Sequence, residues 1–139
     1  MQMNNPLDMS QLAPLTEEQE IYKENIIDHY KHPHNKGRLA EHTHSHKAVN
    51  PLCGDHIVMY LYMKDDVVVD ISFEGDGCAI SQASASLLTD ELKGKTSAEV
   101  ITFTEQDLYT LLGIPISHTR RKCALLSLKT VQGAINNTN

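Results

Sequence analysis

Three cysteines and one aspartate carry most of the chemistry this sequence could do. Cys53 lies in the stretch Asn50-Pro51-Leu52-Cys53-Gly54-Asp55, Cys78 opens a helical pattern, and Cys123 falls in the first turn of another. None sits in the middle of an element. A helix N-terminus presents unpaired N–H groups and a partial positive charge, which favours thiolate over thiol, so Cys78 and Cys123 are poised as ligands or nucleophiles. Gly54 lets the backbone bend beside Cys53, and Asp55 adds a hard carboxylate oxygen close by. Cys53, Asp55, Cys78 and Cys123 together offer four anionic ligands, a set suited to tetrahedral Zn²⁺ or to the irons of a [2Fe-2S] cluster. The cysteine intervals of 25 and 45 residues contain no C-x-x-C knuckle, so spacing alone leaves burial as small hydrophobes open. Neither H-x-E nor P-C-x-x-C occurs, which excludes the zinc-deaminase arrangement.

The other reactive side chains read more plainly. His42, His44 and His46 alternate as on an exposed polar edge strand, where they could grip a metal from one face or simply be solvated. His29 reads as a packing and hydrogen-bonding residue. His118, five residues before Cys123, is a reserve metal ligand, and Lys122 is either solvated or a positive charge beside the Cys123 thiolate. Asp55 competes between ligand and loop cap. The small residues from Ser81 to Ser86 fit close packing behind the site.

These residues need elements to position them. Thr16 with Gln19 forms a capping box, and Tyr22, Ile26, Ile27 and Tyr30 mark a helical face over 17–31 that Pro33 ends. After a turn at 34–37, the stretch 39–49 predicts an edge strand. Residues 56–63 and 67–73 form a β-hairpin across Lys64-Asp65-Asp66, and Glu74-Gly75-Asp76-Gly77 reads as the turn that follows. Ile80, Ala83, Leu87 and Leu92 then predict a helix over about 78–93, stopped by Gly94. Two short helices over 97–101 and 104–112, and a terminal helix over about 120–135, complete the chain. The fold class is α+β: a small three-stranded antiparallel sheet with helices packed on one face.

Composition bounds the rest. The chain has 139 residues, 12 Lys and Arg against 18 Asp and Glu, and a net charge of −6. That length, with 40% hydrophobic residues, suits one domain over 16–136 behind a disordered lead at 1–15 and ahead of a fraying tail from Asn136. An acidic chain is a poor match for nucleic-acid phosphates. The longest apolar run, Ile57 to Met63, falls far short of the roughly 20 residues a membrane span needs. The first residues lack the basic and apolar regions of a secretory signal, so a cytoplasmic location is expected.

Four blocks, in order, carry a resemblance. They are Asp28-His29-Tyr30-Lys31-His32-Pro33-His34-Asn35-Lys36-Gly37, the Asn50-to-Asp55 segment, Phe73 to Ser86 with its Gly75-Asp76-Gly77-Cys78-Ala79-Ile80-Ser81 core, and Arg121-Lys122-Cys123-Ala124. They resemble the iron-sulfur cluster assembly scaffold family, the NifU N-terminal, IscU and SufU group. The resemblance implies that Cys53, Asp55, Cys78 and Cys123 converge at one exposed end and bind zinc or a nascent [2Fe-2S] cluster. It also implies a cysteine desulfurase as sulfur donor, Cys53 as sulfur acceptor, and a downstream Suf-type scaffold or apo iron-sulfur proteins as recipients. Such a protein is a scaffold or sulfur-transfer protein rather than a conventional enzyme; the alternatives are a zinc-dependent sulfurtransferase that never holds a cluster, or a structural zinc or interaction module. Lys122 stands where Isc-type members have His, and Ile114-Pro115-Ile116-Ser117-His118 replaces their Leu-Pro-Pro-Val-Lys motif, which brings the chain nearer the Suf type. The 45-residue interval between Cys78 and Cys123 is shorter than Suf-type members usually have.

Overall fold

Thr16 starts the first helix, α1 (Glu17–Lys31), through the predicted capping box: its hydroxyl accepts from the Gln19 N–H, and the Gln19 side chain accepts from the Thr16 N–H. The structure, a computed structural model, describes residues 14–51 and 54–136. Most of the expected disordered lead, Cys53, and the end of the chain from 137 lie outside the described residues. After α1 come β1 (His44–Asn50), β2 (Asp55–Lys64), β3 (Val67–Asp76), α2 (Ala79–Leu92), α3 (Ser97–Thr102), α4 (Glu105–Leu112) and α5 (Arg121–Asn136), the last preceded by a 3₁₀ turn at His118–Arg120.

The sheet is antiparallel in the order β1-β2-β3. Asp65 and Asp66 both take positive φ, 55° and 66°, as a two-residue hairpin turn matched to strand twist demands. Register places Ile57, Met59 and Leu61 beside Phe73 and Ile71 on one face, all buried. On that face pack α2 and α5, with α1 and α4 against α2. Burying each such side chain contributes about 1.5–3 kcal/mol, so this layer is the main source of stability. The chain between α1 and β1 first runs beside β3, where Phe73 N–H donates to Asn35 C=O. It then crosses the other face, where Arg38 and His42 lie over the Tyr60 ring.

Four expectations need correction. Strand β3 continues through Glu74 and Gly75 to Asp76, residues that look like a turn in sequence, because Val58, Ile57 and His56 of β2 extend the ladder opposite them. Tyr30 is exposed and His29 takes the inward position on α1, so the apolar face is rotated from the predicted one. The edge strand begins at His44 rather than Leu39. Finally, the three alternating histidines do not share a strand face. His42 precedes β1 and stacks on Tyr60 with ring centroids 5.0 Å apart, whereas the His46 ring abuts Gly133 of α5 on the opposite side of the sheet. All three are half-buried, so the solvated-edge reading also fails: the strand is an edge, but α5 covers its inner side.

Candidate metal centre

Antiparallel pairing brings the end of β1, the start of β2 and the end of β3 to one edge of the sheet, with Asn50 opposite Asp55 and His56 opposite Asp76. Since α2 starts two residues after β3, Cys78 is delivered to that same end. The first turn of α5 arrives there too, and the Asn50 amide nitrogen points at Cys123 Sγ from 4.0 Å. One ligand atom from each of Asp55, Cys78 and Cys123 lies within 4.8 Å of the other two. Asp55 and Cys123 are buried, and Cys78 is half-buried. Cys53 lies outside the described residues, while Gly54 N–H donates to Asn50 C=O at 2.8 Å across that segment.

Helix capping sets Cys78 apart. Thr16, Thr96 and Thr104 each cap their helices with a reciprocal capping box. At α2 the N-cap is Cys78 itself, and its side chain makes no capping hydrogen bond. A Ser, Thr, Asp or Asn there is worth about 1 kcal/mol to a helix, so the sequence forgoes an ordinary stabilising residue at this N-cap beside the site. Cys78 is therefore the residue before the helix, not its first residue as the periodicity suggests.

The Asp55 carboxylate supplies the test of fit. Its Oδ2 is buried and has no hydrogen-bond partner among the described residues. An unpartnered buried carboxylate oxygen is costly, and a cation beside two sulfur ligands is the partner that would remove the cost. The donor set of two thiols and a carboxylate suits zinc or an iron-sulfur cluster.

Two glycines missed as site residues shape this end of the sheet, and Gly77 makes room for the carboxylate. An ideal Cβ on Gly77 would stand 2.9 Å from Asp55 Cγ and 2.3 Å from Ser81 Oγ. Gly75, at φ +137°, allows the β2 backbone to pass where a Cβ would lie 2.1 Å from the His56 carbonyl oxygen. The sequence signal was a G-x-G pair directly before a capping cysteine. Behind the site Ser81, Ser84 and Ser86 are fully buried, as close packing requires.

The remaining candidates lie apart. His118 is exposed in the 3₁₀ turn and Lys122 is exposed on α5; neither belongs to the ligand group among the described residues. His29 is buried, with Nδ1 2.6 Å from Ser86 Oγ, and burial first, then the neighbouring His34, push its pKa below 6.5. Among the described residues, no helix is long and apolar enough to cross a membrane.

Residues 21–139 match the NifU-like N terminal domain. The chain belongs to the NifU-like N-terminal domain family. Among members of this family, the zinc-dependent sulfurtransferase SufU of Bacillus subtilis is 34% identical over 83% of this chain and 89% of its own length. An iron-sulfur cluster assembly scaffold protein, IscU 1 of Archaeoglobus fulgidus, is 30% identical over 83% of this chain and 74% of its own. The crystal structure of the N-terminal part of a NifU-like protein from Brucella abortus superimposes with a TM-score of 0.69 at 25% identity, covering 85% of this chain and 94% of that one. A three-stranded antiparallel sheet with helices packed against it is thus the fold of this NifU-like domain.

Proposed function

We propose that this chain is an iron-sulfur cluster assembly protein that accepts sulfane sulfur from a cysteine desulfurase and holds zinc or a nascent [2Fe-2S] cluster through Cys53, Asp55, Cys78 and Cys123. The observation that carries this reading is the buried, unpartnered Oδ2 of Asp55 grouped with the sulfurs of Cys78 and Cys123. Zinc, when bound, would keep its cysteine ligands deprotonated near neutral pH. A cluster would be cargo, and a carboxylate among its ligands suits a cargo that must leave.

In the transfer step the Cys53 thiolate attacks the outer sulfur of the desulfurase persulfide. A new S–S bond forms at Cys53, the donor's S–S bond breaks, and the desulfurase cysteine leaves as thiolate, so no external oxidant or reductant is needed. Asp55, Cys78 and Cys123 keep their places meanwhile. The exposed ammonium of Lys122 supplies positive charge beside Cys123 toward which an anionic persulfide is drawn. Downstream, sulfur or cluster passes to a Suf-type scaffold or an apo iron-sulfur protein.

A second reading, a zinc-dependent sulfurtransferase that holds no cluster, is favoured by the similarity to SufU. Metal analysis of protein purified without oxygen, with and without a cysteine desulfurase, separates the two. A reconstituted cluster that moves to an apoferredoxin supports the cluster-holding form. Zinc alone with faster desulfurase turnover supports the second, and inert zinc with neither behaviour overturns both.

A further inference from the structure

We infer that the seam between the C-terminal ends of α1 and α2 is a second metal site, in which His29, His34 and Asp90 bind a borderline divalent cation such as Zn²⁺ or Co²⁺. One ligand atom from each of the three lies within 4.8 Å of the other two, the same closeness that groups Asp55 with Cys78 and Cys123. The two sites are separate. Asp90 lies twelve positions after Cys78 along α2, a rise of about 18 Å at 1.5 Å per residue.

Imidazole and carboxylate are the hard-to-borderline counterparts of the thiolates at the other end of the helix. The ligands are held from outside, as metal-binding imidazoles and carboxylates usually are. Ser86 Oγ bonds His29 Nδ1 at 2.6 Å and accepts the His34 backbone N–H at 2.7 Å. The Asn35 amide donates to Asp90 Oδ1 at 2.8 Å and to Thr89 Oγ1 at 3.0 Å. His34 Nδ1 and Asp90 Oδ2 already meet at 2.6 Å, with both side chains about half exposed, so an ion has a way in. Ligand atoms around tetrahedral zinc are about 3.3 Å apart, a spacing that small side-chain movements reach from here. His29 falls in the last turn of α1 and Asp90 in the last turn of α2, where the partial negative charge of a helix end favours a cation.

The experiment is an anaerobic titration of the whole chain with Co²⁺, followed by absorption and by NMR of the imidazole rings. Cobalt at the cysteines gives a strong sulfur-to-metal charge-transfer band; a second equivalent, bound without sulfur, should add only weak visible bands and broaden the His29 and His34 rings. His34→Arg keeps a cation facing Asp90 yet cannot ligate, so the second equivalent should bind at least tenfold more weakly while the charge-transfer band keeps its midpoint. Asp90→Asn should act in the same direction. A single equivalent in the unmutated chain, broadening confined to His42, His44 or His46, or an unchanged second midpoint in both variants would overturn the site. If a variant fails to fold, the ring broadening in the unmutated chain decides. Because the two events have different spectra, loss of this site leaves the reading of the cysteine site untouched.

Discussion

Gly77 and Asp55 are matched in shape: the missing side chain of one is the space the carboxylate of the other occupies, with only 2.9 Å between an ideal Gly77 Cβ and Asp55 Cγ. Gly77→Ala should therefore displace Asp55, and it should also disturb the Ser81 hydroxyl that donates to the Cys78 carbonyl at 3.0 Å. The expected result is weaker metal binding together with a stability loss of about 1–3 kcal/mol, typical of overpacking. Zinc titration and thermal melting on the same variant check it; unchanged zinc affinity would detach Gly77 from the site.

Removing the carboxylate itself should have the opposite stability signature. Asp55→Ala deletes a buried oxygen that lacks a partner, so the metal-free protein should melt no lower than the parent. Release of a bound cluster should slow, and its lifetime in air should lengthen, because the exchangeable oxygen position is gone. A loop cap predicts instead a loss of about 1 kcal/mol with unchanged transfer. Melting and cluster-transfer kinetics distinguish the two.

Metal should also be folding energy. Replacing Cys53, Cys78 or Cys123 singly with Ser should sharply lower metal content, and chelation should lower the melting temperature of the parent. Metal at a hundred times its dissociation constant stabilises by about 2.7 kcal/mol. Coincident melting curves before and after complete chelation, or full metal in all three variants, would leave the thiols as unconnected residues.

The far face of the sheet gives a pH test independent of the metal. The Tyr60 hydroxyl donates to Glu74 Oε1 at 2.6 Å, and this bond, followed by burial, raises the phenol's pKa above its ordinary 10. The folded state thus holds the proton more tightly than the unfolded chain. The resulting stability is fully present below about pH 10 and is lost as pH rises through the raised folded value. Denaturant unfolding at rising alkaline pH should show a steeper decline for the parent than for Tyr60→Phe; equal slopes would remove the bond's contribution.

Much of this protein is local and so is legible along the chain. Thr16 announces a helix start because capping involves only the residue three positions on. Asp65-Asp66 announces the hairpin for the same reason. The placing of three cysteines at element boundaries, with the blocks around them, likewise identified the family and the candidate ligands. Period-two alternation, by contrast, could not say that His42 leaves the strand or that α5 covers His44 and His46. Glu74 and Gly75 become strand only because β2 lies opposite.

Tertiary structure alone decided which side chains meet. Asp55 and Cys123 reach one another because antiparallel register and the arrival of α5 bring residues far apart in sequence to one end of the sheet. His34 and Asp90, 56 residues apart, meet because the turn after α1 is tied to β3 through Asn35 and to the end of α2 through Asp90. Propensity and capping act within a few residues of the chain, whereas a ligand set is assembled across packed elements whose relative placement depends on the whole core.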